Sequence, residues 1–386
     1  MSKLKIFGIV CIAFIVLAAI AGFIFYFFYL KPLLDIKPAI NQLKSTEYFD
    51  QSMIDTLSKY GNKMMKNQTS LSIAIIDNGH VYYYGVERKN DTFSTISNSR
   101  YCYQIGSISK VFTSTILAEL VVNKEINLDN SIDDYIGFHL NKNLKLTWKE
   151  LSNHTSGLPS LPNENLIASL SDADNPYVKY DTKWLDSYLK NNIEQDASLN
   201  KKHSYSNLGV AVLGNSMGYF KKQSFESLCS QYIFSKYQMN NTFFYEPKHK
   251  EKVIPSYDID GSLATIWELK AFNPAGGIVS NVEDMSQFIL AQLDSNNRVM
   301  QLTQTPTLIN SEKESVGLGW FILKSKLNHK VLFHNGSTIN YTSSLSIDLD
   351  SRKAIVILSN VNHILTKNNF DALNFALLKY INTAKN

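Results

Sequence analysis

Tyr103-Gln-Ile-Gly-Ser-Ile-Ser-Lys-Val-Phe-Thr113 is the stretch on which the reading of this chain turns. Ser107 and Lys110 stand three residues apart at the start of an apolar-periodic run. Val111, Phe112, Ile116, Leu117 and Leu120 fall on one side of a helix predicted from residue 107 to about 123. At that spacing the hydroxyl and the amine share one helix face. A serine hydroxyl is a weak nucleophile at neutral pH and needs a base within hydrogen-bond reach. A lysine is such a base once burial or a neighbouring cation lowers its pKa. A helix start beneath the serine also aims backbone N–H groups at a developing oxyanion.

Taken alone the pattern is cheap. S-x-x-K recurs at Ser2/Lys5, Ser187/Lys190 and Ser198/Lys201. A serine N-cap followed by an exposed lysine is the plain structural alternative at Ser107. Order and spacing discriminate. Tyr205-Ser-Asn207 follows after roughly 100 residues, and His334-Asn-Gly336 about 130 later. Tyr205 brings a phenol and Asn207 a carboxamide. His334 follows a β-rich run at 330–333 and precedes another, which suits a sheet edge facing a cleft. The rival matches Tyr60-Gly-Asn62 and Tyr380-Ile-Asn382 belong to an opening and a closing helix.

Around these segments the pattern is that of an α+β protein. A helix is predicted over 49–67. Leu71-Ser-Ile-Ala-Ile-Ile76, the turn Asp77-Asn-Gly79 and His80-Val-Tyr-Tyr-Tyr84 read as a hairpin. β character returns at 319–323, 330–333, 344–348 and 354–358, and a last helix is predicted from about 368 to 381. Between about 125 and 270 helical patterns mix with turn-rich loops. The expectation is a three-layer α/β/α arrangement on one antiparallel sheet, with a helical subdomain at 125–270 and a cleft between the two.

At 386 residues and 44% hydrophobic the chain can bury a full core, and a net charge of +4 without a basic stripe argues against nucleic acid. Lys3 and Lys5 precede an uncharged apolar run at 6–30, and Lys31-Pro32 follow it. About 25 apolar residues suffice to cross a bilayer with some tilt, and the positive-inside rule leaves the short N-terminus in the cytoplasm. Expected boundaries are therefore a transmembrane anchor at 1–30, a linker at 31–50 and a hydrolase domain at 51–386 on the extracytoplasmic side. The rival is a signal peptide cleaved after Ala19-Ile-Ala21. Cys102 and Cys229 are either one disulfide or two buried thiols. Asp133-Asp134 has no partner at metal-ligand spacing, and no metal or cofactor is expected. His154 is read as a structural residue holding its loop by hydrogen bonds.

The chain resembles the serine β-lactamase and penicillin-binding protein superfamily, in the branch of class C β-lactamases, D-Ala-D-Ala carboxypeptidases and related esterases. The resemblance runs from about 50 to 382. It rests on 103–113, on Leu151-Ser-Asn-His-Thr-Ser-Gly-Leu-Pro159 and on Tyr205-Ser-Asn-Leu-Gly209. Met239-Asn-Asn-Thr-Phe243, Pro274-Ala-Gly-Gly-Ile-Val-Ser280, Gly317-Leu-Gly-Trp320 and Ile357-Leu-Ser-Asn360 extend it, in the expected order. It implies a β-lactamase/transpeptidase-like fold and an acyl-enzyme on Ser107, with Lys110 and Tyr205 sharing the general-base work. Asn207 would orient Lys110 and the acyl side chain, and His334 and Gly336 would hold substrate. The N–H of Ser337 would join that of Ser107 in an oxyanion hole. S-x-x-K with S-D-N and K-T-G is the superfamily's better-known form; here tyrosine and histidine replace a serine and a lysine. Histidine, with a reference pKa near ~6.5, is mostly neutral at pH 7, which weakens carboxylate recognition and turns the expectation from β-lactams to D-aminoacyl amides or esters, cell-wall-derived or small. Thr338-Ile-Asn-Tyr341 departs from a Gly-Phe pair common in relatives; Asn340 can adopt positive φ at modest cost, which would preserve the turn.

Overall fold

The computed structural model describes residues 22–23, 26–162, 175–199 and 201–384. The expected anchor lies mostly outside these residues. Among the described residues no helix is long and apolar enough to cross a membrane.

A ten-stranded sheet forms the centre. In chain order its strands are β1 (Ile40–Gln42), β2 (Thr69–Asp77), β3 (His80–Lys89) and β4 (Thr92–Ile96), and a small second sheet holds β5 (Tyr103–Gln104), β6 (Phe243–Phe244) and β7 (Ile278–Ser280). The large sheet continues with β8 (Leu308–Ser311), β9 (Glu314–Val316), β10 (Phe321–Lys324), β11 (Lys330–Thr338), β12 (Tyr341–Asp348) and β13 (Lys353–Ser359). Across the sheet the order is β1-β4-β3-β2-β13-β12-β11-β10-β9-β8, antiparallel except for the β1–β4 pair. First and last strand groups thus meet at β2–β13, as the split of β character between the chain's two ends required.

Strand periodicity supplies the three layers. Along β2, Leu71, Ile73 and Ile75 face one core, while Ala74 and Ile76 face the other. β13 does the same, with Ile355 and Ile357 opposed to Ala354, Val356 and Leu358. The first face is covered by helices Gln51–Met64 and Asn369–Ala384, through Met53, Ile54, Leu373, Leu377 and Ile381. The second is covered by helices Ser109–Val122 and Val282–Leu293, through Val111, Phe112, Met285 and Phe288. The helical subdomain follows outward, with helices Thr182–Asn191 and Asn207–Lys221 as its longest described members.

Residues 31–50, read as a linker, are tied to the domain. β1 runs parallel to β4, the buried Arg88 donates to the Lys37 carbonyl at 2.7 Å, and Ala39 N–H donates to Asn62 at 2.7 Å. β1 and β4 were not foreseen, because Asn41, Thr92, Ser94 and Thr95 break up the apolar signal. Cys102 and Cys229 are both free and buried.

Candidate active site

The Ser107 segment is built by close packing. The β5–β7 pairing fixes the approach, and the Tyr103 hydroxyl meets Ser70 Oγ at 3.1 Å and Ser72 Oγ at 2.9 Å. The chain then makes a tight turn over Gly106–Ile108 and enters helix Ser109–Val122. Gly106 has φ +51°, and a Cβ there would lie 2.5 Å from Ser337 N. Opposite it, a Cβ on Gly336 would lie 2.1 Å from the Ile105 carbonyl oxygen and 2.7 Å from Ser107 N. Only a glycine at each position lets the turn and strand approach this closely. The approach is open because β10 pairs with β11 only over Lys330–Phe333; from His334 to Thr338 the strand has β12 on one side and the Gly106–Ile108 turn on the other. His334-Asn-Gly336 therefore lies within β11 itself, not between two strands.

Lys110 projects into this junction. It is 0% exposed, and its Nζ lies 2.9 Å from Ser107 Oγ and 2.6 Å from the Ala275 carbonyl. Burial drives its pKa well below the ordinary lysine value. Pro274-Ala-Gly-Gly-Ile-Val-Ser280 holds the helix from behind. Thr113 Oγ1 donates to the Pro274 carbonyl at 2.6 Å, and Ile278 N–H donates to Ser109 Oγ at 3.1 Å.

Tyr205 comes from the residue pair before helix Asn207–Lys221. Ser206 is that helix's N-cap, accepting from Gly209 N–H at 2.8 Å, and its hydroxyl donates to the Pro159 carbonyl at 2.7 Å. The cap fixes the start of the helix that follows the phenol. Tyr205 faces the Ser107–Lys110 pair, with Lys110 Nζ 4.9 Å from its ring centroid. Burial raises the phenol's pKa, and the neighbouring Ser107 hydroxyl opposes that rise. Hydroxyl, amine and phenol thus converge, and burial favours the neutral form of both amine and phenol.

His334 is 1% exposed, and its pKa is lowered to about 3, first by burial and then by the Lys110 charge. Its Nδ1 lies 2.6 Å from the Asn335 carbonyl, so that nitrogen carries the proton; Nε2 is buried and meets no hydrogen-bond partner among the described residues. As a fixed neutral imidazole it carries no charge for a carboxylate. Asn207 gives its amide to Ser160 Oγ at 3.4 Å; the hydrogen bonds of Lys110 go instead to Ser107 and Ala275. The turn after β11 survives without positive φ at Asn340. Asn340 is absent from the positive-φ residues; its side chain donates to Asp258 at 3.0 Å and accepts from Asn362 at 2.5 Å. Side-chain bonding, not a left-handed backbone, holds this turn.

Ser107 opens on a groove of about 200 Å³ lined by Asn335, Gly336, Ser337, Lys367 and Asp371 among others. A larger cavity, about 640 Å³, lies away from it in the helical subdomain beside Thr182, Tyr219 and Lys270. The acceptor role of Ala275 and the contact of His154 with Tyr205, at 4.5 Å between ring centroids, went unread in the sequence. Both residues lie in segments that carry the resemblance; Ala275 has no role in the sequence reading, and His154 has only that of holding its own loop.

Solved structures share this architecture. The octameric penicillin-binding protein homologue from Pyrococcus abyssi matches at a TM-score of 0.69 and 22% identity, over 85% of this chain and 76% of that one. The β-lactamase/D-alanine carboxypeptidase from Pseudomonas syringae matches at 0.70 and 18%, over 85% and 98%. By sequence, protein flp of Staphylococcus aureus (strain MW2) is 23% identical over 334 residues, 81% of this chain and 63% of that protein. The chain therefore spans less than two thirds of that relative. The Beta-lactamase family model matches residues 56–377, and with most of its length so matched this chain belongs to the Beta-lactamase family.

Proposed function

We propose that this protein is a serine hydrolase that works through an acyl-Ser107 intermediate on a D-aminoacyl amide or ester. The contact between Ser107 Oγ and the wholly buried Lys110 Nζ, at 2.9 Å, carries the reading. A neutral amine has a lone pair, so the serine hydroxyl donates to it and gives up its proton as Oγ attacks the substrate carbonyl. The N–H groups of Ser107 and Ser337 take the oxyanion. Tyr205, kept as a neutral phenol, protonates the departing amine or alcohol and is reprotonated by the Lys110 ammonium. Water then attacks the acyl group by the same route in reverse, and Ser107 is released.

The neutral His334 supports a substrate whose recognition does not depend on a carboxylate at that position. The apolar run at 6–30 supports an anchor that holds the domain outside the cytoplasmic membrane, against cell-wall-derived substrates. A second reading, β-lactam hydrolysis or slow-turnover penicillin binding, draws on Lys367, a cation in the Ser107 groove. Intact-mass spectrometry of full-length protein in detergent separates them. D-alanyl esters and penicillin are offered to the parent and to Ser107→Ala. A transient D-alanyl adduct confined to the parent supports the first reading. A penicilloyl adduct without any D-alanyl adduct favours the second. Adducts on both proteins would sink the nucleophile assignment.

A further inference from the structure

His154 lies outside the Ser107–Lys110–Tyr205 trio, yet three of its contacts fall on the segment that carries Tyr205. Its carbonyl accepts from Ser204 N–H at 2.8 Å. Its Nδ1 accepts from Ser206 N–H at 3.2 Å. Its ring lies against the Tyr205 ring, with centroids 4.5 Å apart and planes at 34°. The residues on either side of the phenol are therefore pinned to one residue, which also supports the phenol's face. His154 reaches all three points from a left-handed backbone, φ +61°, and is 3% exposed. A non-glycine residue in that region is held there by its surroundings.

Resting on the acyl-serine reading above, we propose that His154 is the positioning residue of Tyr205, holding its phenol over Ser107 and Lys110 by clamping Ser204 and Ser206. The clamp needs a neutral imidazole, since Nδ1 accepts only while it carries no proton. The surroundings enforce that state. Burial first, then the facing Lys110, His203 and His334, hold its pKa well below the ordinary histidine value. No proton is exchanged with substrate.

The test uses full-length protein in detergent and a fluorophosphonate probe, in which Ser107 Oγ bonds to phosphorus, fluoride leaves and the serine proton passes to Lys110. His154→Phe keeps a ring and removes the acceptor. His154→Asn keeps a short acceptor and tolerates left-handed φ, so it guards against a simple failure to fold. Each is made alone and together with Tyr205→Phe, and melting temperatures are taken alongside. Misplacing a catalytic group by about 1 Å can cost up to ~100-fold, so each single variant is expected to label ~10–100-fold more slowly. The same substitutions made on Tyr205→Phe should add less than ~2-fold, because the group they position is gone. Multiplicative losses in the double variants overturn the proposal, as do single variants that label at the parental rate. Equal labelling of the parent and Ser107→Ala overturns the acyl-serine reading, and this proposal with it.

Discussion

Leu373 and Lys110 are both wholly buried, on opposite faces of one sheet, and they have opposite effects. Beneath the two terminal helices Leu71, Ile73, Ile75, Ile355 and Ile357 meet Leu373, Leu377 and Ile381, so burial there removes apolar surface from water. Where helix Ser109–Val122 meets β11 and the Tyr205 segment, burial takes in an amine and two imidazoles beside a half-buried phenol. There it costs stability and changes protonation. One face makes the platform rigid; the other uses that rigidity to keep Lys110 in a state water would not allow.

The widest separation between the faces should come from Ser107→Ala. Acyl-enzyme formation, read by intact mass, is expected to fall by more than ~1,000-fold, with the thermal midpoint unchanged because the side chain only touches the cleft. A stable adduct at another residue would break the comparison.

Lys110→Met comes next. Loss of the base should slow acylation ~100–10,000-fold. The same substitution should raise stability, and the sign follows from linkage. Burial disfavours the ammonium, so the unfolded chain binds a proton at Lys110 that the folded chain gives up. Parental stability at this site is therefore lowest at pH below the depressed folded value. It recovers as pH rises toward the ordinary lysine value near ~10.4. The gap in thermal midpoint between Lys110→Met and the parent should be widest at low pH and shrink at high pH. The parental acylation rate should climb with pH and level off well below that ordinary value. A rate still climbing at pH 10 would show a lysine that burial has not shifted.

Leu373→Ala inverts the pattern. Removing most of a fully buried leucine is expected to cost ~2–5 kcal/mol, measured by denaturant unfolding, while kcat/KM of the protein still folded stays within ~2-fold. A large loss of activity at temperatures where the variant is folded would mean the two faces are coupled through the sheet.

Legibility in the sequence followed the same division. β2 and β13 could be read because their β-branched runs are long, and the periodicity that marked them is the periodicity that faces their side chains to two cores; β11 and β12 were legible only in part, at 330–333 and 344–348. β1, β4, β8 and β9 were missed: short and polar, they sit toward the rims and take their conformation from neighbours. Ser107, Lys110 and Tyr205 were legible by order and by resemblance to a family, and local pattern did not single them out. What stayed hidden was contact. Nothing in Asn207 announces that its amide meets Ser160, and nothing in His154 announces that it backs the phenol, because both depend on loops that approach across about 50 residues of chain. The protonation of His334 was only half legible. Its residue type predicted a mostly neutral ring, but the depth of burial that lowers its pKa to about 3 comes from Gly336 and Gly106 drawing strand and turn together.

Ser206→Ala tests the boundary between the two regions and should have the smallest effect. Its hydroxyl serves the platform, capping helix Asn207–Lys221 at Gly209 N–H and donating to the Pro159 carbonyl. Its backbone N–H serves the cleft through His154. Alanine removes the first and keeps the second. Loss of the cap is expected to cost ~1 kcal/mol, seen as a drop of ~2 °C or so in thermal midpoint, with acylation slowed less than ~3-fold. The backbone clamp alone would then suffice to place Tyr205. If instead acylation falls ~100-fold with the midpoint barely moved, the cap itself aims the phenol, and the line between platform and chemistry runs through the hydroxyl of Ser206, not its N–H.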